Sequence, residues 1–292
     1  MGTAGQQSGV AGEQMSAQVQ SQFRRLALDG KQIEVALHTA EDARGTILLL
    51  HEALGSVAYW RDFPEKLAAA AGANVLLYSR PGHGNSEGPL EERNPDYYLR
   101  QTRIVIPELL DRFGVDAAIV YGHSEGAAIA MLFAAQSNRA QSLILESPFV
   151  VAEASSAEHI ARMALAYRGS KLQERLALYH RDADEVFYAW AGWATGLTPG
   201  IPLPHALLKQ INCPVLVLQG ENDVFGSTVH REALRAALPA VEFELFANTG
   251  HLPHREQTEL VLNRIARFLT APGPPEHPGQ PPNPPSFIEE HL

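Results

Sequence analysis

The sequence predicts an α/β protein: a mostly parallel central sheet flanked by helices, with a helical segment inserted between two of its strands. Three observations carry this. From Ile47 to Glu146, short apolar runs of strand character alternate with helical stretches, the pattern of right-handed crossovers in a parallel sheet. Between Pro148 and Gln210 the alternation stops and the chain reads as helix throughout. From Val215 to Leu269 strand and helix alternate again.

The elements follow in order. Phe23 to Leu28 and Ile33 to Thr39 are strand-like runs around Asp29-Gly30, a strong hairpin signal. Thr46 to Leu50 is a continuous apolar strand, and His51 to Gly55 (HEALG) is the loop after it. Ala58 to Ala71 reads as one helix closed by Gly72, and Asn74 to Ser79 as a strand running into RPGHGNSEG. Tyr97 to Phe113 is helical by period, with Ile104, Leu109, Leu110 and Phe113 on its apolar face. Strands follow at Ala117 to Tyr121 and Ser142 to Ser147. The inserted helices are Ser155 to Arg168, Lys171 to His180 and Asp182 to Thr195, crowded with aromatic residues. Strand Val215 to Gln219, helix Val229 to Ala237, strand Glu242 to Phe246 and helix Gln257 to Leu269 complete the set. The resulting division is a flexible leader over 1–22, a core over 23–147 and 211–270, a helical cap over 148–210 and a Pro-rich disordered tail over 271–292.

Composition narrows the function. A net charge of -10 argues against nucleic acid or an anionic membrane surface as partner, since either needs a basic face. The single cysteine, Cys213, allows no intrachain disulfide and no cysteine-built metal site, and reads as a small core residue. No run is long enough to span a bilayer, and the leader lacks a basic stretch followed by an apolar one, so a cytoplasmic location is expected.

The chemistry gathers at strand ends. In YGHSEGA, Gly122 and Gly126 bracket Ser124 between a strand and a small-residue helix, the pattern of a nucleophile elbow; a serine that merely caps the helix is the plain alternative. Asp223 follows the strand 215–219 through GEN, and His251 follows the strand 242–246 through ANTG. Strand ends of an open parallel sheet converge on one edge, so the three can meet there. The residue types suit nucleophilic catalysis: serine needs a base, histidine titrates near neutral pH, and a buried acid orients the imidazole.

HEALGS, RPGHGNS, GHSEG, QGENDVFG and NTGHLPHREQ, in register with strands, make residues 23–269 resemble the α/β-hydrolase superfamily, and the expected fold is therefore an α/β-hydrolase fold with a helical cap. The resemblance implies Ser124 as nucleophile, Asp223 as acid and His251 as base. It also implies an oxyanion hole built from the backbone N–H groups of Ala53 and Glu125. Glu221 is the nearest rival acid, and Asp223 is preferred as third residue after Gly220. The chain departs from the family pattern where Glu52 replaces a common glycine and Ser79 a common aspartate. A carboxylate at Glu52 or Glu125 would oppose an oxyanion unless it is turned away or paired; a Glu52 facing the site would instead suit a cationic or hydroxyl-bearing substrate.

Each remaining polar group has a structural reading. His83 is expected to be structural, His254 to cap or pack, and His180 with Asp182 and Asp184 to mark a helix break rather than a metal site. From the cap, Phe187, Trp190 and Trp193 are expected to contact an apolar substrate, with one tryptophan in the cavity and the other in the cap core. The expected activity is cofactor-independent and metal-free hydrolysis of a small or medium carboxylic ester through an acyl-enzyme. The same residues would serve a carbon–carbon bond hydrolase, a thioesterase, or a weakly catalytic ligand receptor.

Overall fold

The computed structural model describes residues 19–197, 205–226, 228–238 and 240–271. Strands β1 (Val19–Leu28) and β2 (Lys31–Ala40) form the expected hairpin, Leu28 opposite Lys31, across Asp29 and Gly30 with φ of 48° and 71°. Paired positive φ values match the twist of the flanking strands. The strand starts earlier than expected: Val19 to Gln22, assigned to the leader, pair with Thr39, Ala40 and their neighbours. The rest of that leader, and the tail beyond residue 271, lie outside the described residues.

β3 (Thr46–Leu50) is buried along its whole length. The single helix expected from Ala58 is instead a tight turn at Ala58–Trp60, a break at Arg61 with φ 54°, and α1 (Phe63–Ala71). Pro64 causes the break, because it has no N–H to offer the Trp60 carbonyl. After β4 (Asn74–Tyr78), the expected helix 97–113 is α2 (Pro95–Arg100), a wide π-turn at Gln101–Val105, and α3 (Ile106–Arg112). Pro107 likewise leaves the Arg103 carbonyl without its donor, and the wide turn absorbs the defect. The extra residue rotates the apolar stripe. Ile104, expected inside, is 45% exposed, while Val105, Ile106, Leu109 and Leu110 are buried.

β5 (Ala118–His123), α4 (Glu125–Gln136) and β6 (Ala140–Glu146) follow. Helices α5 (Ala154–Ala166), α6 (Lys171–Ala177), α7 (Ala183–Gly196) and α8 (His205–Leu208) separate β6 from β7 (Val215–Gly220). The chain then runs through α9 (Thr228–Ala237), β8 (Val241–Phe246), α10 (Pro253–Glu256) and α11 (Thr258–Thr270).

The eight strands form one sheet in the order β1-β2-β4-β3-β5-β6-β7-β8. All pairs from β4 to β8 are parallel, and β2 runs antiparallel to both its neighbours. Alternation along the strands builds a core on each face. Leu48, Leu50, Val120 and Leu143 pack on one side with α4, and Ile47, Leu49, Tyr121 and Ile144 on the other with α1 and α11. A third apolar cluster joins α5, α6 and α7 to Leu54 and Tyr59 in the stretch after β3, so the inserted helices lie beside the carboxyl ends of the strands.

Candidate active site

Ser124 sits between β5 and α4 with φ 53° and ψ −112°, a conformation that an L-residue holds only when its surroundings enforce it. The enforcement is visible on both sides. A Cβ on Gly122 would lie 2.3 Å from the Gly126 carbonyl oxygen, and one on Gly126 would lie 2.3 Å from that of Leu50. The Ser124 N–H donates to the Glu146 carbonyl at 2.9 Å, and its half-buried side chain stands at the head of α4. Ser124 does not cap the helix: its hydroxyl accepts no helical N–H.

His251 and Asp223 meet. Nδ1 of His251 lies 2.9 Å from both carboxylate oxygens of Asp223, whose side chain is buried, whereas Glu221 is exposed. Gln219 and the Phe225 N–H also donate to Asp223. Burial alone would raise the Asp223 pKa; the neighbouring His251 and these donors outweigh it and hold it at about 2. Burial likewise disfavours a charged His251, but Asp223, and after it Glu52 and Glu146, carry its pKa above the ordinary histidine value. His123, immediately before Ser124, donates from Nε2 to the His251 carbonyl at 2.8 Å and so joins the two loops.

The loop after β3 supplies the other wall. Neither the Ala53 nor the Glu125 backbone N–H meets an acceptor among the described residues. The Glu52 carboxylate accepts from the Leu54 N–H at 2.7 Å, closing its own turn, and burial raises its pKa. Glu125 does not point along the helix surface. Its carboxylate is buried, 2.7 Å from Arg93 Nε and 2.8 Å from Arg80 Nη2, with the Tyr98 hydroxyl donating at 3.3 Å. Burial opposes its charge, yet Arg93 and Arg80 together draw its pKa below the ordinary glutamate value.

The aromatic residues divide differently from expectation. Phe187 is no wall residue: it is 0% exposed and stacks on Tyr167 at 3.7 Å inside the inserted helices, because it shares their inward stripe with Val186 and Ala191. Trp190 and Trp193 are both half-buried, neither sealed in that core. Trp190 approaches Phe225, which lies edge-on to His251 at 5.0 Å. Trp193 approaches Phe149, whose N–H donates to the Ser124 carbonyl, and the Arg93 guanidinium.

The remaining polar groups are structural. His83 lies with Nδ1 3.0 Å from the Pro81 carbonyl and Nε2 3.1 Å from that of Ala53 and donates to one of the two, and Ser79 donates to Glu34 while accepting from Val57 N–H. His180 bonds the Gly84 N–H and the Leu54 carbonyl, Asp182 caps α7, and Asp184 accepts from Gln173. Cys213 is partly buried, which pushes its thiol up to about 11.

Several groups carry no sequence signal. Arg80 and Arg93 reach the site from the two ends of the loop between β4 and α2, Phe149 from the loop after β6 and Phe225 from the loop after β7. His254, expected only to cap or pack, is buried with Nδ1 2.9 Å from Glu146, which also accepts from Tyr121. His123, Glu146 and His254 are the one set of ligand-type side chains close enough to share an ion among the described residues, and these hydrogen bonds already occupy Glu146. No helix among the described residues is long and apolar enough to cross a membrane.

Comparison with known proteins agrees with this fold. A proline iminopeptidase of Lactobacillus delbrueckii subsp. bulgaricus is 24% identical over 77% of this chain and 90% of its own length. A 2-hydroxy-6-oxononadienedioate/2-hydroxy-6-oxononatrienedioate hydrolase of Pseudomonas putida is 24% identical over 85% and 96%. Among solved structures, the 2-hydroxy-6-oxo-6-phenylhexa-2,4-dienoate hydrolase of Rhodococcus sp. strain RHA1 superposes with a TM-score of 0.73 at 17% identity, covering 87% of this chain and all of that one. The naproxen esterase of Bacillus subtilis gives 0.64 at 20% identity over 87% and 92%. The model of the alpha/beta hydrolase family matches residues 47–264, well over half of the chain, and the protein belongs to that family.

Proposed function

We propose that the protein is a serine hydrolase that cleaves a small or medium carboxylic ester through an acyl-enzyme. One observation supports this above the others: a strained, half-buried Ser124 at the turn between β5 and α4, with a His251 whose Nδ1 is held by the buried Asp223 carboxylate at 2.9 Å. In this reading Ser124 Oγ attacks the substrate carbonyl and its proton passes to His251 Nε2. Asp223 stabilises the imidazolium that forms. The Ala53 and Glu125 N–H groups receive the oxyanion, and His251 returns the proton to the leaving oxygen. Water then repeats the cycle on the acyl-enzyme. Trp190 and Trp193, with Phe225 and Phe149, make the apolar wall against which the acyl or alcohol part rests, and the helices of 148–210 act as the cap over it.

Carbon–carbon bond hydrolysis is the second reading. The Pseudomonas and Rhodococcus relatives are named as hydrolases of hydroxy-oxo-dienoates, which contain no ester to cleave. Thioester hydrolysis needs only a different leaving atom. A cytoplasmic location remains part of the proposal, as does action on a small molecule. A turnover screen across p-nitrophenyl esters, acyl thioesters, a hydroxy-oxo-dienoate and an N-terminal proline anilide, with Ser124→Ala as control, tests all of these. Multiple turnover of esters above the other classes supports the first reading; stoichiometric binding without turnover would favour a receptor.

A further inference from the structure

We propose that Arg80 and Arg93 are positioning residues that clamp the two oxyanion-hole N–H groups, those of Ala53 and Glu125, at a fixed separation through the Glu125 carboxylate. This rests on the Ser124 reading above and adds how its oxyanion hole is held. The hole is assembled from two segments 72 residues apart, the loop after β3 and the start of α4. No turn or loop backbone hydrogen bond runs directly between residues 51–55 and 124–127 among the described residues. Gly126 packs directly on the Leu50 and His51 carbonyls, and side chains supply the hydrogen bonds.

Arg93 spans the gap with one fork. Its Nε bonds Glu125 at 2.7 Å and its Nη2 bonds the Ala53 carbonyl at 3.1 Å, so a single rigid guanidinium touches both residues that offer the N–H groups. Arg80 repeats the pattern one residue away: Nη1 to the His51 carbonyl at 2.6 Å, and Nη2 to the Glu52 carbonyl at 2.9 Å and to Glu125 at 2.8 Å. His83 Nε2 also packs 3.1 Å from the Ala53 carbonyl. The carbonyls of His51, Glu52 and Ala53 are thereby each held by a guanidinium. Tyr98, on the helix turn just ahead of the wide π-turn, closes the Glu125 end.

The charge arrangement fits the same role. A lone carboxylate after the nucleophile would oppose an oxyanion, but two guanidiniums on one carboxylate leave the cluster with net positive charge. Buried ion pairs are a poor route to stability, since apolar residues of equal volume serve as well. They are a good route to fixed direction, which electrostatic preorganisation requires.

The test uses Arg93→Lys in the full chain, which keeps the charge but reaches one partner at a time. Turnover of a p-nitrophenyl ester should show kcat reduced about 10-fold or more, as when an oxyanion donor is misplaced, with KM nearly unchanged. Affinity for phenylboronic acid, whose tetrahedral adduct on Ser124 places an oxygen in the hole, should fall in parallel. A merely structural role would lower the melting temperature without separating kcat from KM. A folded Arg93→Lys protein with unchanged kcat and unchanged boronate affinity overturns the clamp. If that variant does not fold, Tyr98→Phe removes one bond to Glu125 and spares both ion pairs; unchanged kcat and boronate affinity there overturn it equally. A fluorophosphonate probe separates this from the underlying reading: labelling of wild type elsewhere than Ser124 removes both, whereas labelling at Ser124 with an unaffected Arg93→Lys removes the clamp alone.

Discussion

His123 donates from Nε2 to the backbone carbonyl of His251 at 2.8 Å, tying the residue before the elbow serine to the loop that carries the imidazole. Burial drives the His123 pKa down to about 3, so the ring stays neutral through the physiological range and holds one donor and one acceptor. The elbow and the His251 loop are thus joined through a backbone carbonyl, and the His251 ring takes no part in that joint.

Removal of the nucleophile or the base gives the first prediction. Ser124→Ala and His251→Ala should each lower kcat by on the order of 10^4–10^6-fold. Fluorophosphonate labelling should vanish in the first and fall sharply in the second. Stoichiometric labelling of another serine in wild type would remove the assignment.

The pH profile gives the second. His251 must be neutral to accept a proton, and its pKa is raised by Asp223 and then by Glu52 against the effect of burial. The acid limb of kcat/KM should therefore lie above the ordinary histidine value. Glu52→Gln keeps an oxygen for the Leu54 N–H and loses the charge, so that limb should move to lower pH. An unmoved limb would show that Glu52 does not act on the base.

Acid stability gives the third. Burial opposes ionisation of Glu146, but His254 and then His123 hold its pKa at about 2. A depressed carboxylate stabilises the fold fully above its unfolded pKa, near 4.5, and this contribution drains away as pH falls toward 2. Glu146→Gln should destabilise by about 3–5 kcal/mol near neutral pH, because His254 loses a buried partner. The gap to wild type in denaturant unfolding should narrow between pH 5 and pH 3. A constant gap would mean that packing, not charge, sets the cost.

Aromatic truncations give the fourth. Phe187→Ala should cost about 3–5 kcal/mol of stability and leave chain-length preference alone, since Phe187 is sealed in the inserted helices. Trp190→Ala and Trp193→Ala, both half-buried beside the site, should change kcat/KM between bulky and acetyl esters by about 1–3 kcal/mol. Thermal unfolding and an ester-length series on the three variants check both halves. Equal chain-length preference in all three would place the substrate elsewhere.

The sequence by itself determined the α/β class, the run of parallel strands, the hairpin at Asp29-Gly30 and the elbow around Ser124. These rest on local signals: period-two or continuous apolar runs, turn chemistry, and glycines where no Cβ fits. It also marked Asp223 and His251, because strand ends are recognisable and their loops converge on one edge. Two helices depart from the expected ones where Pro64 and Pro107 interrupt an apolar period that otherwise continues through them. Only the tertiary structure decided the rest. Glu125 is held by Arg80 and Arg93, 45 and 32 residues away, and Glu146 meets His254 across 108 residues. No periodicity encodes such pairings. A buried charge is stable only if a partner arrives from another segment, and which segment arrives is settled by how the loops pack at the strand ends.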